Sequence, residues 1–102
     1  VYNEARKKDS SFLLSEIAVN SWGYDLLGRA MTKEAIEIFK MNVTLNPDAF
    51  NTYDSLGEAY DRAGDRENAI KNYRRSVELN PKNDNAVVRL KKLDPDGPGN
   101  RK

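Results

Sequence analysis

Residues 50–83 read FNTYDSLGEAYDRAGDRENAIKNYRRSVELNPKN, and the fold can be predicted from this segment and its relation to the rest of the chain. Residues 16–49, which we call unit one, align without a gap on residues 50–83, which we call unit two. Identical residues then fall at Ser21/Ser55, Gly23/Gly57, Ala35/Ala69, Ile36/Ile70, Val43/Val77, Leu45/Leu79, Asn46/Asn80 and Pro47/Pro81, with Phe39 opposite Tyr73 as a similar pair. Because self-similarity at a fixed period of about 20–50 residues is typical of repeat folds, the sequence predicts two copies of one structural unit.

Unit two predicts a pair of helices. Apolar residues at helical spacing predict a first helix that Asp48 caps and that ends at about Arg62. Gly64 suits a left-handed helix end, and Asp65 can cap a second helix that stops at Asn80-Pro81.

Unit one predicts the same plan. Its first helix starts at about Ser11 and breaks at Gly28, and its second helix runs from a Thr32 cap to Leu45, before Asn46-Pro47.

Gly23 and Gly57 lie inside predicted helices, where glycine costs about 1 kcal/mol relative to alanine. We interpret both as close helix crossings, in which Ala69 and Tyr73 of the partner helix approach Gly57. We therefore predict that Gly57→Leu unfolds the domain.

These residues resemble the tetratricopeptide repeat, whose pattern is W-x2-L-G-x2-Y, then A-x3-F, then P. Unit two matches it with Tyr53, Leu56, Gly57, Tyr60, Ala69, Tyr73 and Pro81. Unit one departs from the pattern at three positions where the pattern has a large side chain. Its residues at the pattern positions are Val19, Trp22, Gly23, Leu26, Ala35, Phe39 and Pro47. The resemblance implies an all-α fold, a right-handed α-solenoid of antiparallel helix pairs with two units and a C-terminal capping helix. It also implies a non-catalytic module that binds a peptide segment or a partner helix.

The predicted domain spans residues 11–93, with the capping helix at 84–93. Residues 1–10 are expected to be an extension or a short covering helix, and residues 94–102 are expected to be a flexible tail, since turn-forming residues dominate them. The N-terminal end is rich in apolar side chains, namely Phe12, Leu13, Leu14 and Ile17. A covering helix, docking on a neighbouring domain and homodimerisation are the three alternatives for this end.

Composition excludes several classes of function. Lys and Arg total 17 against 16 Asp and Glu, so a net charge of +1 does not favour nucleic acid binding. The chain has no histidine and no cysteine, which removes the usual zinc ligands and the commonest catalytic bases. We expect no enzymatic activity, no metal, no cofactor and no membrane segment.

The origin of the chain is also open to prediction. It begins at Val1 and not at Met, so we expect a processed product or a piece of a longer protein. Residues 20–24 and 53–60 are similar to repeats appended to bacterial multidomain proteins, including some serine hydrolases. We expect a cytoplasmic location, with periplasmic and secreted locations as alternatives.

The resemblance implies that the first helix of each pair lines a concave groove. The predicted groove residues are Asn20, Tyr24, Leu27, Asn51, Asp54, Glu58, Asp61 and Asn85, with Ile17, Gly28, Arg62, Val88 and Lys92 beside them. Asp54, Glu58 and Asp61 share one helix face, which suits a partner segment carrying Lys or Arg. The alternative is an ordinary solvated face, eased by Arg62 or by cations of neighbouring helices. An acidic groove would repel the acidic chaperone tails that one subgroup of the family binds.

Overall fold

The computed structural model describes residues 15–95, which form five α-helices and no strand. The helices are α1 (Glu16–Gly28), α2 (Thr32–Leu45), α3 (Phe50–Arg62), α4 (Arg66–Leu79) and α5 (Asp84–Leu93). Each helix packs on the next one in the chain, and α1 also contacts α3. The described chain is therefore an α-solenoid of two helix pairs closed by α5, as predicted. None of these helices is long and apolar enough to span a bilayer.

The start of α1 is later than predicted. The side chain of Ser15 accepts a hydrogen bond from the Ala18 amide at 3.1 Å, and the helix begins at Glu16 instead of near Ser11. The predicted extension at residues 1–10 lies outside the described residues.

One of the three predicted helix caps is confirmed. Asp65 caps α4 by accepting a hydrogen bond from the Asn68 amide at 3.2 Å. The caps predicted at Asp48 and Thr32 are wrong, because the residues in the cap positions are Ala49 and Met31, and neither caps with its side chain. Asp48 and Thr32 are each one residue away from the position where a side chain can reach the free amides.

The loops inside the two units share a left-handed turn. Gly64 has φ +83° in unit two, as predicted, and the equivalent residue in unit one is Ala30, with φ +62°. Because a side chain is disfavoured in this conformation, unit one carries backbone strain that unit two avoids.

Both predicted helix crossings are close. A Cβ atom added to Gly57 would lie 3.1 Å from the ring of Tyr73, and one added to Gly23 would overlap the ring of Phe39. Both rings are fully buried. The crossing predicted from the glycines is therefore confirmed, and it is tighter in unit one.

A buried polar side chain ties the two helices of each unit together. The Asn42 amide of α2 donates to the Glu16 carbonyl at 3.0 Å, and the Ser76 hydroxyl of α4 donates to the Phe50 carbonyl at 2.9 Å. Asn42 and Ser76 occupy equivalent positions, and both are fully buried. Each bond gives a buried side-chain donor a partner, since a buried polar group left unpaired would be costly.

The C-terminal end is packed further than predicted. Asp94, which sequence analysis assigned to the flexible tail, is only 7% exposed and pairs with Arg74 at 2.7 Å. The Nε atom of Arg66 donates to the Leu93 carbonyl at 2.8 Å, which holds the end of α5. The tail prediction is therefore wrong at Asp94, because two arginines of α4 reach this end. Residues 96–102 lie outside the described part.

Candidate protein-binding surface on the first helices

Hydrogen bonds between the two units align their first helices. The Tyr24 hydroxyl of α1 donates to Glu58 Oε1 of α3 at 2.9 Å, and these residues are separated by 34 positions, which is one repeat. The Ser55 hydroxyl of α3 donates to Asn20 Oδ1 of α1. Equivalent faces of α1 and α3 therefore lie side by side and form one surface.

The same surface continues onto α5 through Asp54. The carboxylate of Asp54 accepts hydrogen bonds from the Asn85 side-chain amide at 3.1 and 3.2 Å and from the Asn83 side-chain amide at 3.3 Å. Asn83 also caps α5, since its side chain accepts from the Ala86 amide. Asn85 was a predicted groove residue, whereas Asn83 was not. The signal that could have identified Asn83 is its position as the N-terminal cap of α5.

The three predicted carboxylates have different surroundings. Glu58 is bound by Tyr24 and by Arg62, whose Nη2 atom lies 3.0 Å from Glu58 Oε2. Arg62 therefore reduces the repulsion among the three carboxylates, as the alternative of an ordinary solvated face predicted. Within residues 15–95 the side chain of Asp61 makes no hydrogen bond or ion pair, and it is half-buried.

Two of the remaining predicted groove residues differ sharply in exposure. Leu27 is only 4% exposed and packs in the core with Phe39 and Leu56, so its side chain cannot contact a partner. The prediction for Leu27 is wrong because α2 covers this face of α1. Asn51 is exposed at the start of α3, as a partner-binding residue must be.

Tyr24 is held by both packing and charge. Its ring meets the Phe39 ring edge to face, with centroids 5.1 Å apart. The pKa of Tyr24 is raised to about 12, chiefly by burial; the nearby Ser55 hydroxyl acts to lower it, and the hydrogen bond to Glu58 and the charges of Glu58 and Asp54 act to raise it. Tyr24 therefore stays protonated and acts as a fixed donor at neutral pH.

The chemistry of this surface is recognition by charge and hydrogen bonding. Within the described range, no group of three or more carboxylates could hold a metal ion. The surface instead offers half-buried carboxylates and amide groups that are already fixed by neighbouring helices. Such groups can bind ammonium, guanidinium or backbone amide donors of a partner.

Comparisons with known proteins agree with this architecture. The family model of the tetratricopeptide repeat matches residues 50–83, which are unit two. The crystal structure of the MamA protein matches with a TM-score of 0.70 at 22% sequence identity, over 78% of this chain and 44% of that chain. The chain thus spans less than half of the MamA chain, and the likeness is one of fold. No curated protein matches the sequence.

The class of protein follows from the fold and the family match together. Residues 50–83 are a tetratricopeptide repeat, and residues 15–95 have the fold of a tetratricopeptide solenoid. Stacked repeats of this kind create extended surfaces for binding other proteins. In general terms, therefore, the chain is a protein-interaction module.

Proposed function

We propose that the surface formed by α1, α3 and α5 binds a basic segment of a partner protein, either extended or helical. The observation that supports this proposal is the Tyr24–Glu58 hydrogen bond across one repeat, which aligns the first helices. That alignment brings Asn20, Tyr24, Asn51, Asp54, Glu58, Asp61 and Asn85 onto one surface.

Asp61 carries the binding charge in this proposal. Arg62 already neutralises part of Glu58, and Asn83 and Asn85 already hydrogen bond to Asp54. A Lys or Arg side chain that reaches Asp61 gains a charge-assisted hydrogen bond without breaking an existing one. Glu58 and Asp54 then provide the surrounding negative potential.

The module has no catalytic role in this proposal. The Ser55 hydroxyl, a potential nucleophile on the same helix as the carboxylates, is buried and donates to Asn20. A buried hydroxyl that is engaged in this way lacks the adjacent base that nucleophilic catalysis requires. We propose a cytoplasmic location for the same module.

The test is a pull-down with a neutralised surface and a matched control. Asp54→Asn, Glu58→Gln and Asp61→Asn together remove three negative charges, which takes the net charge from +1 to about +4. The control is Glu34→Gln, Asp48→Asn and Glu67→Gln, which makes the same change at exposed residues outside the surface. We expect the control to keep the partners that the wild type captures and the neutralised variant to lose them. Equal capture by all three proteins would reject the proposal.

A second candidate function is docking or homodimerisation through the N-terminal end. Trp22 is 52% exposed and Ile17 is 80% exposed, while Leu56, the equivalent of Trp22 in unit two, is 5% exposed beneath α2. Trp22 is thus an exposed apolar residue at a position that is buried in unit two, and with the exposed Ile17 it favours an interface.

Sedimentation across the micromolar range tests this candidate. If the end dimerises, Trp22→Glu should weaken the dimer, whereas Val88→Glu, at an apolar residue 54% exposed on α5, should not. Trp22 is the single tryptophan of the chain, so its fluorescence should shift to shorter wavelength as the dimer forms. A monomer at every concentration would exclude homodimerisation, and the candidate function would then be restricted to docking on another protein.

A further inference from the structure

A cavity on the α4 side of unit two is separate from the proposed groove. Its volume is about 410 Å³, and it is lined by Tyr53, Lys71, Asn72, Arg74, Arg75 and Glu78. None of these residues belongs to the predicted groove. Three of the six lining residues are cations and one is a carboxylate, which is the opposite balance to that of the groove.

The floor of the cavity is held in place by Tyr53. Its hydroxyl donates to the Pro47 carbonyl at 2.8 Å, and the guanidinium of Arg75 lies over its ring, 5.8 Å from the centroid. A guanidinium over an aromatic ring is attracted by the ring quadrupole. Arg75 therefore has a preferred position at the cavity wall even though its side chain is exposed.

The cations of the cavity differ in how they are paired. Arg74 is paired with the buried Asp94 at 2.7 Å. Arg75 pairs with Glu78 at 3.1 Å, and both side chains of that pair are exposed to water. Lys71 makes no ion pair with any residue of the described range. The positive charge available to a ligand thus comes from Lys71, and from Arg75 in competition with Glu78.

Unit one lacks the residue types that line this cavity. The equivalent positions there are Val19, Glu37, Ile38, Lys40, Met41 and Thr44, which include no aromatic residue and one residue of each charge. Glu37 and Lys40 pair with each other at 3.6 Å. The cationic and aromatic lining is therefore a property of unit two and not of the repeat.

We propose that this cavity binds an extended acidic segment of a partner protein, with carboxylates at alternate residues. Lys71 and Arg75 are one helical turn apart, so their Cβ atoms are about 6 Å apart. Side chains at alternate residues of an extended chain point to the same face and are separated by about 6.6 Å. Two such carboxylates can therefore reach Lys71 and Arg75 together, and the second one displaces Glu78 from Arg75.

The probe is a hexapeptide of alternating Glu and Ser with blocked ends, and the readout is NMR titration of the full chain. We expect shifts concentrated at Tyr53, Lys71, Asn72 and Arg75. A hexapeptide of alternating Lys and Ser should leave these residues unshifted. Shifts spread evenly over all exposed lysines and arginines would overturn the proposal.

Charge reversal at the cavity is compared with the same reversal elsewhere. Lys71→Glu with Arg75→Glu should weaken binding of the acidic peptide by at least about tenfold, because two charged contacts are lost. The control is Lys33→Glu with Lys40→Glu, which alters exposed lysines of α2 by the same total charge. An equal loss in the control would show that only the overall charge attracts the peptide, and the proposal would fail.

Glu78→Gln provides a test that unfolding cannot imitate. Because it removes the carboxylate that competes for Arg75, the acidic peptide should bind about threefold more tightly. Unchanged or weaker binding would contradict the proposed displacement. The variant neutralised at Asp54, Glu58 and Asp61 should bind the acidic peptide at least as well as the wild type. The proposal for this cavity and the proposal for the groove can therefore be rejected independently of each other.

Discussion

Unit one and unit two have the same plan, but their equivalent residues meet different surroundings. Leu56 of unit two is buried beneath α2, whereas Trp22 at the same position of unit one is 52% exposed. Unit two has neighbours on both sides, α2 and α5, while within the described chain unit one has a neighbour only on the side of α3. The position of a unit in the stack therefore decides what a repeat residue contacts, even where the repeat pattern is the same.

The first and largest effect is expected at the crossing of unit two. Gly57→Leu should lower the free energy of unfolding by more than about 4 kcal/mol, which is enough to unfold a small domain, because the side chain has no space beside Tyr73. Circular dichroism during thermal melting measures this loss. The control is Gly28→Leu, where an added Cβ meets nothing within 4 Å. A folded Gly57→Leu variant with an unchanged melting temperature would contradict the close crossing.

A smaller substitution separates the two crossings. Gly23→Ala should lower the free energy of unfolding by about 2 kcal/mol, since its methyl group would overlap the Phe39 ring. Gly57→Ala should change it by less than about 1 kcal/mol, because a slight shift of the Tyr73 ring makes room and alanine favours the helix. Urea titrations of both variants measure the difference. Equal losses would mean that the two crossings are equally tight, contrary to the geometry.

The loops of the two units should respond in opposite directions. Ala30→Gly should raise the free energy of unfolding by about 0.5–1 kcal/mol, because glycine relieves the left-handed backbone. Gly64→Ala should lower it by a similar amount, about 1 kcal/mol, at the equivalent turn. Thermal melts of the two single variants and of the double variant provide the measurement. Destabilisation by both substitutions would show that strain at Ala30 is not the cause.

The last prediction concerns alkaline pH and tyrosines whose pKa is raised by burial in both units. The pKa of Tyr24 is raised to about 12 from 10.0, chiefly by burial, and burial also raises the pKa of Tyr73. A raised pKa means that the stabilising contribution is complete below pH 10.0 and is lost as the pH rises towards about 12. We therefore expect the melting temperature to fall in that interval, and the fall should be smaller in Tyr24→Phe. Absorbance at alkaline pH follows tyrosine ionisation directly, and ionisation of all five tyrosines near pH 10.0 in the folded protein would contradict the shift.

Much of the fold could be predicted from local signals. The glycine and aromatic residues that recur in the two units predicted the helix pairs and their close crossings, and both predictions are confirmed. Asp65 caps α4 as its position predicted. The wrong caps at Asp48 and Thr32 differ from the actual cap positions by one residue, which is a limit of reading helix ends from sequence.

The candidate surface could be predicted only in part. Because the period of the repeat aligns Tyr24 with Glu58, the neighbouring positions of their helices follow from the sequence. The exposure of individual side chains does not follow, and Leu27 was wrongly placed in the groove for that reason. Sequence reasoning also missed the cavity beside Tyr53, because its lining combines residues of two helices that only packing brings together.

The repeat, the helix pairs and the three carboxylates on one face of α3 all follow from the amino-acid sequence, because they depend on residue types at short, regular spacings. Tertiary structure decided which of those carboxylates has a partner. Asn85 and Tyr24 reach Asp54 and Glu58 from other helices, while Asp61 receives no such contact from residues 15–95. It also decided that Asp94 is buried against Arg74 and does not belong to the tail. The physical reason is that hydrogen bonds and burial depend on distances between segments far apart in the chain, and only packing of the helices sets those distances.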